Sequence, residues 1–115
     1  MKIPVLKIDQ FQNSKLLNDL YINSFSNHFE LNKKLIDKPH SHNFYLCVLF
    51  TEGFGKHEID FNSYNVNPGK VFFLKPGQTH SWQFNTKPEG FIFFHSQEFY
   101  CLLYTSDAAD DLLCV

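Results

Sequence analysis

The residues of this 115-residue chain with the most chemistry to offer are histidines. His40 and His42 flank Ser41 ahead of an apolar run, and His80 follows Lys75-Pro76-Gly77-Gln78-Thr79. Side chains alternate along a strand, so His40, His42, Phe44, Leu46 and Val48 share one face if the strand runs unbroken. By the same parity His80, Trp82 and Phe84 share a face. Three neutral imidazoles can hold a metal ion. Walls of Leu, Phe and Trp suit an organic ligand better, because ligand pockets are mostly apolar with a few placed polar groups. Trp82 serves either to stack on a sugar or ring or to pack the core. His40, His42 and His80 either touch a ligand or line the mouth of a barrel and bond to backbone carbonyls. His28, His57 and His95 read as surface or structural residues. Cys47 sits in an apolar strand without a basic neighbour, so it reads as an inert packing residue. Asp9, Asp19 and Glu30 form no pair with catalytic spacing.

These side chains must be positioned by strands. Phe44 to Thr51 is an apolar, β-rich run bounded by Asn43 and by Glu52-Gly53. Gly55 to Phe61 alternates polar and apolar residues at its end, as a half-buried strand does. Asn62-Ser63 reads as a tight turn into Tyr64-Asn65-Val66. Asn67-Pro68-Gly69 and Lys75-Pro76-Gly77-Gln78 are turns around a short buried strand, Val71 to Leu74. His80 to Phe84 and Gly90 to Phe94 supply two more strands, and Ser96-Gln97-Glu98-Phe99 opens like a helix cap. Before Pro39 the pattern is irregular. Val5 to Ile8 reads as a short strand, Leu16 to Tyr21 as a turn or short helix, and Phe25 to Phe29 as another strand. Short strands at roughly ten-residue spacing predict an all-β sandwich or barrel.

Composition bounds the function. Length allows one domain with one core, and 43% hydrophobic residues with 14 Phe can fill it without disulfides. No apolar stretch reaches the eighteen or more residues of a membrane span, and the start lacks a secretory h-region, so a cytoplasmic chain is expected. Cys47, Cys101 and Cys114 form no CxxC, which fits neither a zinc finger nor a disulfide framework. The basic residues are all Lys and scattered, so the chain itself should not bind DNA.

Two stretches carry a family resemblance. Pro39-His40-Ser41-His42-Asn43-Phe44-Tyr45, followed by Thr51-Glu52-Gly53, resembles the first cupin motif. Pro68-Gly69-Lys70-Val71-Phe72-Phe73-Leu74-Lys75-Pro76-Gly77-Gln78-Thr79-His80 resembles the second. With Gly55 to Asp60 between them and Gly90 to Phe94 closing, the chain resembles the N-terminal sensor domain of AraC/XylS-type regulators. That resemblance implies an all-β, cupin-like (double-stranded β-helix or jelly-roll) barrel, here incomplete. Residues 1–38 would be its entry segment and 39–100 the effector-binding barrel. It further implies a small-molecule effector, such as a sugar or aromatic metabolite, held by His40, His42, His80 and Trp82. DNA would be reached only through a missing C-terminal helix-turn-helix domain, and the full-length protein would be a homodimer. The sequence departs from metal-binding cupins, which carry a carboxylate four residues after the second histidine; Leu46 stands there, and Phe84 replaces the usual Asn. No metal, cofactor or catalytic residue is therefore assigned, and the protein is read as no enzyme. The alternative is a small metal-dependent cupin enzyme, a dioxygenase or isomerase, using His40, His42 and His80.

The last fifteen residues differ from the rest. Cys101 to Asp111 contains both Ala residues of the chain and no Asn, Lys or Phe. It resembles the in-frame translation of a transposon-derived sequencing adapter, and 101–115 is expected to be a non-native tail. Residues 1–100 then hold ten Lys against nine acidic residues, a net of +1.

Overall fold

A computed structural model describes residues 3–11 and 20–97. In chain order they form β1 (Val5–Leu6), a 3-10 turn (Ile8–Gln10), β2 (Leu20–Ser24), α1 (Phe25–Leu31), α2 (Lys33–Ile36) and β3 (Ser41–His42). There follow β4 (Tyr45–Glu52), β5 (Gly55–Ile59), β6 (Asn62–Val66), β7 (Val71–Leu74), β8 (His80–Phe84) and β9 (Glu89–His95). The tail 101–115, the segment Leu16 to Asp19, and Glu98 with Phe99 lie outside the described residues.

Two antiparallel sheets face each other across the core. One has the order β2-β9-β4-β7 and the other β6-β5-β8; β1 and β3 pair in parallel beside them. β4 shows how residue pattern sets the layers: Leu46, Val48 and Phe50 are buried, while Cys47 is half-buried and Leu49 exposed. Cross-strand register extends this parity, pairing Leu46 with Leu74 and Phe94, and Val48 with Phe72 and Ile92. The opposing sheet meets this face through Trp82, whose ring lies 5.5 Å from that of Phe50, and through His57, 4.6 Å from Phe72. The protein is therefore mostly β, with two facing antiparallel sheets, as the strand spacing predicts.

Three segments differ from the sequence reading. Phe25 to Phe29 is helix, not strand. Ser24 caps it by accepting from the Asn27 amide, and Phe25, His28 and Phe29 fall on one face, where Phe25 packs on Phe50 and Trp82. Leu20 and Tyr21 belong to a strand, held antiparallel against His95 and Phe94. The tight turn falls at Asp60-Phe61, both with positive φ (48° and 73°), and Asn62-Ser63 already belong to β6. Two consecutive left-handed residues give the twist that a two-residue hairpin needs. Asp60 also anchors that turn: its carboxylate accepts from the Thr79 amide and from Gln78 Nε2, both at 3.0 Å.

Two glycines bring the histidine-bearing strands into place. Gly77 has φ +91°, the left-handed geometry expected of the Pro-Gly turn before β8, and its amide donates to the His42 carbonyl at 2.8 Å. At Gly55 a Cβ would lie 2.1 Å from the Gln83 carbonyl oxygen, so only glycine lets β5 and β8 run this close.

Candidate functional site

Backbone hydrogen bonds bring the sequence-predicted histidines together. His40 and His80 form an isolated antiparallel bridge: each amide donates to the other's carbonyl, at 3.0 and 2.9 Å. His42 follows on β3, facing inward by parity, and Gly77 ties its carbonyl to the turn before β8. The three rings form a triangle with centroid separations of 4.9 Å (His40–His42), 4.6 Å (His40–His80) and 4.8 Å (His42–His80). All three are buried. One ligand nitrogen from each lies within 4.8 Å of the others, a spread that an ion bound at about 2 Å from each would contract.

The site is walled by rings. Phe44 lies 4.5 Å and Phe94 5.7 Å from His42, and Phe11 closes the same side at 6.5 Å. Leu46, at the position of the absent carboxylate, is buried in the core. Trp82 is buried too, but its ring is stacked on His57 at 3.6 Å and 16°, and on Phe84 at 5.7 Å and 17°. It meets His80 edge-on at 5.2 Å. Its stacking partners are thus residues of the protein.

Burial holds these imidazoles neutral. It brings His42 down to about 2, with repulsion from His40, His28 and His57 adding to the effect. His57 falls to about 3 through burial and then His40. His80 is pushed well below its ordinary value by burial and by its four imidazole neighbours. His40 is lowered by burial, although the Lys38 carbonyl and Asp37 pull the other way.

Neutral rings have one N–H and one lone pair. His40 Nδ1 lies 2.7 Å from the Lys38 carbonyl oxygen, which can only accept, so Nδ1 carries the proton and Nε2 is a bare lone pair. His40 Nε2 and His80 Nε2 are both buried without a hydrogen-bond partner. The donor set therefore fits a cation: unpartnered imidazole nitrogens converge in an apolar interior. His40, His42 and His80 would hold such an ion, which would supply Lewis acidity to a bound ligand. The same nitrogens also fit a hydroxyl or ammonium donor.

Sequence reasoning read His57 as a surface or structural residue, and the structure places it in the interior. It is fully buried, with Nε2 2.7 Å from His80 Nδ1 and Nδ1 unpartnered. The signal was available: the alternation that turns Ile59 inward turns His57 inward as well. His28 is likewise buried, its Nδ1 2.9 Å from the Tyr21 hydroxyl, and burial lowers it to about 3. His95 is buried beside Tyr45, stacked at 5.0 Å. The Cys47 thiol is raised by burial, as suits a packing residue.

Two facing antiparallel sheets with convergent imidazoles define a cupin-like binding fold. The profile of the AraC-like ligand binding domain matches residues 34–95, and the chain belongs to that family. Among solved structures, it is similar to SPY1581, a conserved protein of unknown function from Streptococcus pyogenes. The TM-score is 0.52 at 16% identity, covering 68% of this chain and 65% of that protein, just under two thirds of its length. It is also similar to KdgF from a Halomonas species, with TM-score 0.50 and 14% identity over 67% of this chain and 69% of that one. A cupin protein from Bacteroides fragilis gives TM-score 0.45 at 15% identity, covering 75% and 83%. At these identities the likeness concerns the fold alone. No curated protein matches in sequence. Among the described residues, no helix is long and apolar enough to cross a membrane.

Proposed function

We propose that this chain is the effector-sensing and dimerising part of an AraC-type transcription regulator. A small molecule enters between the sheets and is held by His40, His42 and His80, with Trp82 bracing the imidazoles from behind. Binding is the output of this domain, not catalysis. The contact with DNA belongs to a helix-turn-helix domain beyond the barrel. Family membership supports the sensing role. The observation that carries it is the pair of buried, unpartnered nitrogens, His40 Nε2 and His80 Nε2. An orphaned buried acceptor costs about 1–3 kcal/mol, and a ligand that satisfies both recovers that cost on binding. His40 Nε2 can only accept, so the effector must present a donor such as a sugar hydroxyl.

Thermal-shift screening of the chain against sugars and aromatic acids, in the presence of a chelator, tests this reading. One class should raise Tm in wild type and lose most of that effect in His42→Ala. A flat response across the panel would reject it. A second reading, a metal-dependent cupin enzyme, is favoured by the three convergent imidazoles. It requires turnover of a substrate that depends on a stoichiometric ion.

A further inference from the structure

The binding reading leaves His57 unused, although no side chain in the core is more completely buried. Its ring is fixed on three sides, by Trp82 at 3.6 Å, by Phe72 edge-on at 4.6 Å and by His80 at 4.9 Å. The contact between His57 Nε2 and His80 Nδ1, 2.7 Å long, contains one shared proton between two neutral rings. Which ring carries it decides the chemistry at the centre. If His57 donates, His80 Nε2 bears a hydrogen that points among the other imidazoles, and His80 cannot coordinate. If His80 donates, His80 Nε2 is a bare lone pair beside the bare lone pair of His40. The centre then offers its nitrogens to a Lewis acid.

We propose that His57 is the positioning residue of a metal centre built from three neutral ligands, His40, His42 and His80. By accepting the Nδ1–H of His80, it commits that ring to the tautomer whose Nε2 coordinates a divalent transition ion. Histidine ligands of metals commonly donate their second N–H to a carboxylate or carbonyl, which fixes the ring and raises its basicity. Here a fourth imidazole takes that place, and Gly55 makes it possible by letting β5 and β8 close until His57 stacks on Trp82. The donor set names the ion class. Three neutral nitrogens with no carboxylate favour borderline ions such as Zn(II), Co(II) or Ni(II) over Mg(II) and Ca(II), which need oxygen ligands. An ion and an effector hydroxyl would compete for the same lone pairs of His40 and His80, and ion loading and effector binding are measured separately so that either can fail alone.

The test uses the whole chain, stripped with a chelator and titrated with Zn(II) and Co(II). Wild type should take up one ion per chain. His57→Phe keeps a ring on Trp82 but has no acceptor, and should weaken affinity about 10- to 100-fold. His57→Gln, whose amide oxygen can accept, should recover most of the loss. Nitrogen-15 spectra of the Zn(II)-loaded wild type should show the His80 proton on Nδ1. Absence of stoichiometric uptake by wild type, or wild-type affinity in a folded His57→Phe, would overturn the proposal. If His57→Phe fails to fold, the spectra decide: an unprotonated His80 Nδ1 in the loaded chain overturns it.

Discussion

The two sheets bury different chemistry on their facing sides. The inner face of β2-β9-β4-β7 is built from Tyr21, Ile92, Phe94, Leu46, Val48, Phe50, Phe72 and Leu74. The inner face of β6-β5-β8 presents His57, His80 and Trp82 beside Val66, and the bridge to His80 adds His40. Each fully buried aliphatic or aromatic side chain of the first face contributes about 1.5–3 kcal/mol. Each orphaned nitrogen of the second gives back an amount of the same order. The first sheet therefore carries the stability, and the second uses part of it to keep unpartnered polar atoms away from water. Division of labour between sheets lets one sequence be both foldable and receptive.

Acid should break this arrangement most strongly, and from the histidine side. His42, His57 and His28 are held at about 2, 3 and 3, against about 6.5 in the unfolded chain. Between these limits the unfolded state binds protons that the folded state refuses, so stability is complete above about pH 7 and falls as pH drops through 6.5. Each ring removes about 1.4 kcal/mol per pH unit, and three together about 4. Urea midpoints should therefore fall steeply below pH 6; a flat profile from pH 7 to 4.5 would mean that these rings are not buried neutral. A smaller loss, about 3–5 kcal/mol, is expected for Phe94→Ala. Phe94 packs on Phe44 at 4.3 Å and Tyr21 at 4.9 Å, and the cavity would open in the load-carrying sheet. Urea denaturation at neutral pH measures it, and a loss below 1 kcal/mol would contradict the division of labour between the sheets. The smallest effect is expected from replacing both partners of the polar side at once. His57→Phe with His80→Leu should change neutral-pH stability by about 1 kcal/mol or less, because it removes both partners of their hydrogen bond together with the orphaned His57 Nδ1 and His80 Nε2. The same pair should abolish ligand and metal binding in calorimetry.

The strands from Phe44 onward were legible because burial on one face imposes a period of two, and because Gly69 and Gly77 mark turns. His40, His42 and His80 were legible through the two stretches that resemble cupin motifs, with strand parity in support. The structure joins them through a backbone bridge between residues forty apart, which no local pattern announces. Phe25 to Leu31 misled because Asn and Ser interrupt its apolar residues; its helical character lies in the Ser24 cap and the spacing of Phe25, His28 and Phe29. The Asp60-Phe61 turn was missed because an aromatic residue rarely adopts positive φ. Its carboxylate is satisfied by Gln78 and Thr79, far along the chain. The alternation along β5 already turned His57 inward, but its contact with His80 is a fact of tertiary structure that the sequence does not announce.

The stack of His57 on Trp82 has a practical side. Trp82 is the only tryptophan of the chain, and its indole lies flat against the imidazole that hydrogen-bonds to His80. An excited indole gives up energy to a nearby imidazole according to that ring's distance and charge. The tryptophan emission of this protein therefore arises at one address, two residues from His80, and occupation of the proposed centre is expected to change it without any added dye.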